Sequence, residues 1–498
     1  MVPLSRTALD TLDPRVVVPA YDPTHVTTGI VHFGVGGFHR AHQAVHVDDL
    51  LAAGHLDWGI CGVGVRAEDV AMRDALAAQD HLYTLQTVEP DDSLNTRVIG
   101  SIVDYLFAPE DPAAVLARIV DPSTRIVSLT VTEGGYSVDD ATGEFAPHDA
   151  DVLADLEDWA SAVTGPHSAL GFIVAALGAR GAADATPFTV MSCDNIQGNG
   201  QVVRTAVLGF ATRVDPDLAA WIEKEVAFPA TMVDRITPAT TDRVREEIAT
   251  EYGIQDAWPV RAESFTQWVI EDHFTDGRPP FEDAGAQVVE DVEPYELMKL
   301  RLLNASHQAL GHFGMLVAGP VLVHQVCREE IVAAFLWDYW RTEAIPTLQP
   351  VPGVDLDEYC ATLLARFSSD AVADTVERLC TDASDRIAKF LLPVVANRLE
   401  AGAKVSASVL IIAAWSLALE GTSQTGVPTI MHDRRKNLLD AAVAAEKETP
   451  GAFLDIPEVF GELGQNERLR EEFVAARQRV LDRGAQWVLE NHGQAPLR

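Results

Sequence analysis

Cationic residues are scarce in this chain: 37 Lys plus Arg stand against 74 Asp plus Glu, a formal net charge of -37 over 498 residues. A field of that sign repels phosphate backbones and anionic lipid, so neither nucleic acid nor a membrane is an expected partner. Long apolar runs are also missing. The longest, "VSASVLIIAAWSLALEG" from Val405, stops at Glu420 after roughly fifteen residues, short of the roughly 20 needed to cross a bilayer, and reads as a buried core helix. The opening "MVPLSRTALDTLDPRVVVPAYD" carries no basic stretch followed by an apolar one and a small-residue cleavage site, so a cytoplasmic location is expected. Cysteine is sparse and unpaired: Cys61, Cys193, Cys327, Cys360 and Cys380 never form CxxC, which argues against a disulfide framework and a structural zinc knot.

What is present is ordinary globular composition, 47% hydrophobic and 22% charged, in a chain too long for one hydrophobic core. Two domains are the expectation. The first half alternates β-branched runs ("GIVHFGVG", "WGICGVGV", "RIVSLTVTEGGY", "PFTVMSCDN") with helical patterns. That alternation predicts parallel strands with right-handed crossovers, hence an α/β doubly wound sheet, and "GAQVVEDV" reads as its last strand. After Pro294 the pattern turns to long helices without strands. The boundary is set near residue 290, giving domains 1–290 and 291–498, the second mostly α-helical.

In "IVHFGVGGFHRAHQAVH" an apolar strand runs into Gly34, Gly36 and Gly37 and then a helix expected from Phe38 to Leu51. A tight turn here would aim helix N-terminal amides at a pyrophosphate. The third glycine of GxGxxG is missing, since His39 takes its place; the alternative is a plain strand-to-helix turn. Gly34, Gly36, Gly37, Phe38, His39 and Arg40 are the candidate cofactor residues. At the end of the next strand, Glu68 and Asp69 stand where carboxylates accept bonds from an adenosine ribose and repel a 2′-phosphate, favouring NAD over NADP; they also suit a helix N-cap. His39, His42 and His46 share a helix face by spacing, but one straight helix rarely surrounds an ion, so no metal is expected and cleft lining or packing is the reading.

Further on, "PYELMKLRLLNASHQALGHFG" predicts a helix carrying Lys299, Asn304 and His307. At about 100° per residue, Lys299 and His307 lie about 80° apart and Asn304 about 60° from His307, one broad face. A lysine in a partly apolar cleft beside a positive nicotinamide would have its pKa lowered and act as a base towards an alcohol. A carboxamide would polarise the new carbonyl. Asn195, at the end of "PFTVMSCDN", offers a second carboxamide at the edge where open α/β sheets bind ligands; alone it would be an N-cap.

Taken together, "GVGGFHRAHQ", "TEGGY", "SCDNIQGNG", "MVDRITP" and "KLRLLNASH" resemble the polyol-specific long-chain dehydrogenases, in the same order and across nearly the whole chain. The resemblance implies a Rossmann-type NAD-binding domain, a helical substrate-binding domain, an active site between them, and metal-independent oxidation of a secondary alcohol. By motif, Lys299 matches the base, Asn195 and Asn304 the oxyanion pair, and His307 a substrate residue that positions the lysine. Asp234 matches a substrate-side carboxylate, and Glu296 a residue gating proton exit. The implied substrate is a small polyol or ketose, first D-mannitol to D-fructose. D-arabinitol and a hexuronate such as fructuronate are the alternatives within the family, and a catalytically inactive NAD-binding sensor is the alternative outside it. A monomer or weak oligomer is expected. The chain departs from its relatives at "TDASDRIAKF", with Ala383 for a glycine and Arg386 for a lysine; Arg378 and Lys389 stand nearby to face the distal hydroxyls. A substrate carboxylate would need a spare cation, which Arg378 or Arg386 would supply.

Overall fold

The apolar runs of the first half become five strands, β1 (Thr28–Phe33), β2 (Gly59–Gly64), β3 (Ile102–Phe107), β4 (Ile126–Leu129) and β5 (Thr189–Ser192). All four pairings are parallel, and the order across the sheet is β3-β2-β1-β4-β5. These details come from a computed structural model describing residues 1–89, 91–139, 142–369 and 374–492. The chain divides into two compact units, Met1–Glu293 and Pro294–Arg498.

Strands covered on both faces read as near-continuous apolar runs, and β1 and β2 are buried at every residue, Thr28 and His32 included. Val31, Phe33, Val63, Val127 and Leu129 pack one face against the helices Pro112–Val120 and Ala169–Ala182. Ile30, Ile60, Ile102 and Ile126 pack the other. This is the doubly wound arrangement predicted, and its strand order reverses between β1 and β4. Open sheets of this kind bind ligands at that switch point, outside the carboxyl ends of the strands.

Three smaller sheets accompany it. Tyr83–Val88 pairs antiparallel with Leu94–Ile99 and parallel with Val260–Glu263. Gln267–Glu271 pairs antiparallel with Thr231–Asp234 and parallel with Gln287–Val289, and Val2–Pro3 pairs parallel with Ile254–Gln255. The "GAQVVEDV" strand thus joins a separate three-stranded sheet instead of ending the main one.

The helix expected from Phe38 to Leu51 is broken. His42, at φ -125° and ψ -92°, separates α1 (Gly37–Ala41) from α2 (Gln43–Ala52). The second unit is helical, and among its described residues only isolated bridges pair as strands. Its segment Ser406–Ala418, the most apolar of the sequence, is buried at twelve residues from Ala407 to Ala418. No described helix is long and apolar enough to cross a membrane. All five cysteines are buried free thiols.

Candidate functional site

Gly34 ends β1 at φ +93°, and a Cβ there would stand 2.2 Å from the Thr130 carbonyl oxygen. Only glycine allows this left-handed turn and the close approach to β4. The turn is stitched across the switch point: Thr130 Oγ1 donates to the Gly34 carbonyl at 2.7 Å, and His32 bridges Ser128 Oγ (2.8 Å) and Thr130 Oγ1 (2.9 Å). Gly36 is different. A Cβ on it would meet nothing nearer than the Gly34 oxygen at 3.9 Å, so its bare Cα leaves room for a ligand to reach the backbone at the start of α1. We expect Gly34→Ala to destabilise the first unit by about 2 kcal/mol through clash and strain. Gly36→Ala should leave the melting temperature unchanged and weaken dinucleotide binding; thermal denaturation beside cofactor titration separates the two.

Of the two readings for the residues after the turn, cleft lining or packing, the buried side chains of His39, Arg40, His42 and His46 follow packing. Arg40 is fully buried; its guanidinium donates to the Trp258 carbonyl and lies 5.2 Å from the Tyr83 ring centroid. Its role is internal, not phosphate contact. His39 is buried and stacks on His32 at 3.5 Å, and Phe38 stacks on His42 at 4.9 Å. His42 bonds the Gln267 carbonyl (3.1 Å) and His46 the Ala284 carbonyl (2.8 Å). Burial pushes all of these imidazoles, His32 included, towards the neutral form, His32 to about 3. Because His42 is itself the helix break, the three histidines share no straight helix face. Among the described residues no group of three or more His, Cys, Asp or Glu is placed to hold a metal.

Past β2, Asp69 Oδ2 accepts from Val65 N (3.0 Å) and Arg66 N (2.9 Å), so this carboxylate shapes the loop, with Glu68 exposed beside it. Gly64 permits the approach, since a Cβ there would be 2.7 Å from Asp69 Cβ.

Asn195 is exposed just beyond β5 and is not a helix cap; the following helix, Asn199–Val214, is capped by Gly198 at φ +62°. Asn199, not singled out by sequence pattern, holds this loop. Asn199 Nδ2 donates to the Asp194 carbonyl (3.0 Å) and the Thr231 carbonyl (2.9 Å), and its Oδ1 accepts from Thr231 N (2.9 Å). It ties the Asn195 loop to the strand Thr231–Asp234, whose last residue, Asp234, is buried. Asp194 in turn accepts from Val131 N (2.9 Å), Thr132 N and Tyr136 Oη (2.7 Å), holding Thr132 at φ +65°. The second asparagine of "DNIQGN" was the available signal for this brace.

In the second unit, α3 (Glu293–Met298) leads into a π-helical turn, Lys299–Asn304, and then α4 (Ala305–Val317). Lys299 and Asn304 would lie about 140° apart on a regular α-helix. Here Ala305 N–H reaches back to the Leu300 carbonyl, an i→i+5 bond, and this wider turn brings residues five apart round towards one face. Both are buried, at 5% and 6% exposure. Neighbours satisfy the carbonyls that the turn displaces. Tyr339 Oη donates to Arg301 O (3.0 Å), and Trp340 Nε1 to Leu302 O (3.1 Å) and Ser306 Oγ (2.8 Å). Glu296 stands one turn before Lys299, partly buried. His307 packs on Phe367 with ring centroids 5.1 Å apart, and burial pushes its imidazole down to about 3.

The expected spare cations are not spare. Arg378 Nε and Nη2 donate to Asp374, both at 2.5 Å, and Arg386 Nη1 donates to the carbonyls of Arg378 (3.0 Å) and Leu379 (3.2 Å). The departure at Ala383 is accommodated: Asp382 takes the left-handed conformation at φ +50°, Ala383 is buried, and Ser384 Oγ bonds Asp433 at 2.8 Å.

Residues 28–283 match the Mannitol dehydrogenase Rossmann domain and 291–481 the Mannitol dehydrogenase C-terminal domain. The chain is 45% identical over 475 residues to the mannitol 2-dehydrogenase of Cereibacter sphaeroides, covering 95% of this chain and 98% of that one. Among solved structures it resembles the Pseudomonas fluorescens mannitol 2-dehydrogenase in ternary complex with NAD and D-mannitol (TM-score 0.86, 42% identity, 98% and 99% of the two chains). It also resembles a D-sorbitol dehydrogenase in substrate-free form (TM-score 0.89, 37% identity, 97% and 99%).

Proposed function

Because the chain belongs to the mannitol dehydrogenase family, we propose that it oxidises the C2 hydroxyl of a linear polyol with NAD, D-mannitol to D-fructose, reversibly and without a metal. The observation that carries this reading is the π-helical turn, which buries a lysine and a carboxamide towards one face in the unit that matches the family's C-terminal domain.

The first unit suits the dinucleotide. The open Cα of Gly36 at the sheet's switch point admits a pyrophosphate against backbone amides, with Gly37 and Phe38 opening the helix. Glu68 and Asp69 favour a ribose carrying free hydroxyls. Bound there, NAD supplies the acceptor for the hydride that leaves C2. Lys299 takes the hydroxyl proton as that C–H bond breaks, so the oxygen keeps its electron pair and becomes the ketone. Asn195 and Asn304 donate to this oxygen as its charge grows, favouring the transition state over the ground state. Glu296, one helical turn back, passes the lysine's proton outward. His307, neutral at working pH, exchanges hydrogen bonds with a hydroxyl and keeps the amine in place. Asp234 accepts from a substrate hydroxyl. Arg378, its charge balanced by Asp374, contributes a hydrogen bond to the distal hydroxyls. The first unit is thereby assigned as the NAD-binding domain and the second as the substrate-binding one.

The likeness to a D-sorbitol dehydrogenase favours one competing substrate. A panel of D-mannitol, D-sorbitol and D-arabinitol with NAD and NADP, read by absorbance of the reduced cofactor, tests the reading. D-mannitol with NAD should give the highest kcat/KM, NADP should be at least tenfold worse, and prior chelator treatment should change neither. Preference for NADP would overturn the roles of Glu68 and Asp69, and preference for D-sorbitol would reassign the substrate.

A further inference from the structure

Helix α5 (Val376–Cys380) lies tight against α4. A Cβ on Gly311 would be 3.1 Å from Cys380 Sγ, and one on Gly314 would be 3.0 Å from Val376. His307 lies one turn before Gly311 on α4 and packs on Phe367, the neighbour of Arg366 on the helix Leu356–Phe367. Arg378, Arg386 and Arg366 disfavour its protonation, while Asp374 opposes them. Cations gathered beside a polar site would ordinarily recruit a carboxylate. Here the fork of Arg378 is closed by Asp374, through Nε to Oδ1 and Nη2 to Oδ2. Asp374 is itself fixed, since Thr375 N donates to its Oδ1 at 2.9 Å and its side chain is only 13% exposed. Arg386 is turned to the carbonyls of Arg378 and Leu379 near the C-terminal end of α5, where the helix dipole receives positive charge.

We propose that Asp374 is a specificity-determining residue: by occupying the Arg378 fork it cancels the cation that would attract an anionic sugar acid, and so restricts this end of the site to neutral polyols and keto sugars. The inference rests on the polyol reading above and adds to it that hexuronates are refused. An Asp374 carboxylate facing a substrate carboxylate also repels it directly. Replacing Asp374 with the isosteric asparagine leaves Arg378 a net cation at the same place.

The test compares reduction of D-fructose with that of D-fructuronate, the same chain carrying a terminal carboxylate, using NADH. Wild type, Asp374→Asn and Asp374→Asn/Arg378→Gln are compared, with Asp374→Ser in place of Asp374→Asn if the latter does not fold. The fructuronate-to-fructose ratio of kcat/KM should rise tenfold or more in the single variant and return towards wild type in the double one. An unchanged ratio in a folded single variant, or a rise that persists without Arg378, overturns the inference alone. A wild type that turns over neither D-fructose nor D-mannitol overturns the polyol reading and this inference with it.

Discussion

Lys299→Ala is expected to lower kcat for D-mannitol oxidation by about a thousandfold, within the range that a positioned general base contributes. The KM for the polyol should change far less, because the proton is transferred only as the transition state forms. The size follows from the surroundings of Lys299. It is 5% exposed, and the π-helical turn that carries it is held by Tyr339 and Trp340, so bulk water is a poor substitute base. The acid limb of the pH–rate profile should vanish in the variant, and a small exogenous amine should restore part of the rate. Loss of packing alone would produce neither change. Circular dichroism melting of the variant provides the control for folding.

The second large effect concerns stability. His32, His39, His42 and His46 are buried in the first unit, and burial pushes each below its ordinary value, His32 to about 3. In the unfolded chain each takes up a proton near pH 6.5, whereas the native unit keeps all four neutral. Between those values the unfolded state binds more protons, so stability falls as pH falls. A histidine that stays neutral in the native unit contributes about 1.4 kcal/mol per pH unit to the slope, and the contributions of the four add. Against a total of about 5–15 kcal/mol for a typical domain, the first unit should lose a large share of its stability between about pH 6.5 and 5, above the range where ordinary carboxylates take up protons. Urea midpoints should fall with pH in this way, and His39→Phe, which keeps the stack on His32, should make the dependence shallower. A urea midpoint that does not decrease between about pH 6.5 and 5 would contradict the account.

The glycine turn, the alternating strands and the lysine run were legible because each depends on local pattern: a turn needs glycine where φ is positive, and strand and helix have different apolar periods. The rest was hidden for physical reasons. The break at His42 and the π-helical turn at Lys299 occur inside apolar patterns that read as continuous helix, and both depend on distant partners, Gln267 for the first and Tyr339 and Trp340 for the second. Arg40 looked like a phosphate ligand because a charged residue beside a glycine turn normally faces solvent; the carbonyl of Trp258, far along the chain, draws it inward. The pairing of Arg378 with Asp374, four residues earlier and just before the helix cap Thr375, was within reach of the sequence, but its consequence for charge was not. The bracing by Asn199 depends on Thr231, on a strand of another sheet, and no spacing rule connects the two.

The central claim is that hydride leaves C2 of a neutral polyol for NAD while Lys299 takes the proton. The most direct measurement uses D-mannitol deuterated at C2 and at its symmetry-equivalent C5, with NAD, followed by mass spectrometry of both products. The account predicts one deuterium in the reduced nicotinamide, D-fructose retaining the other, and a primary isotope effect on kcat/KM. Deuterium released to solvent, or a reduced cofactor carrying none, would contradict it.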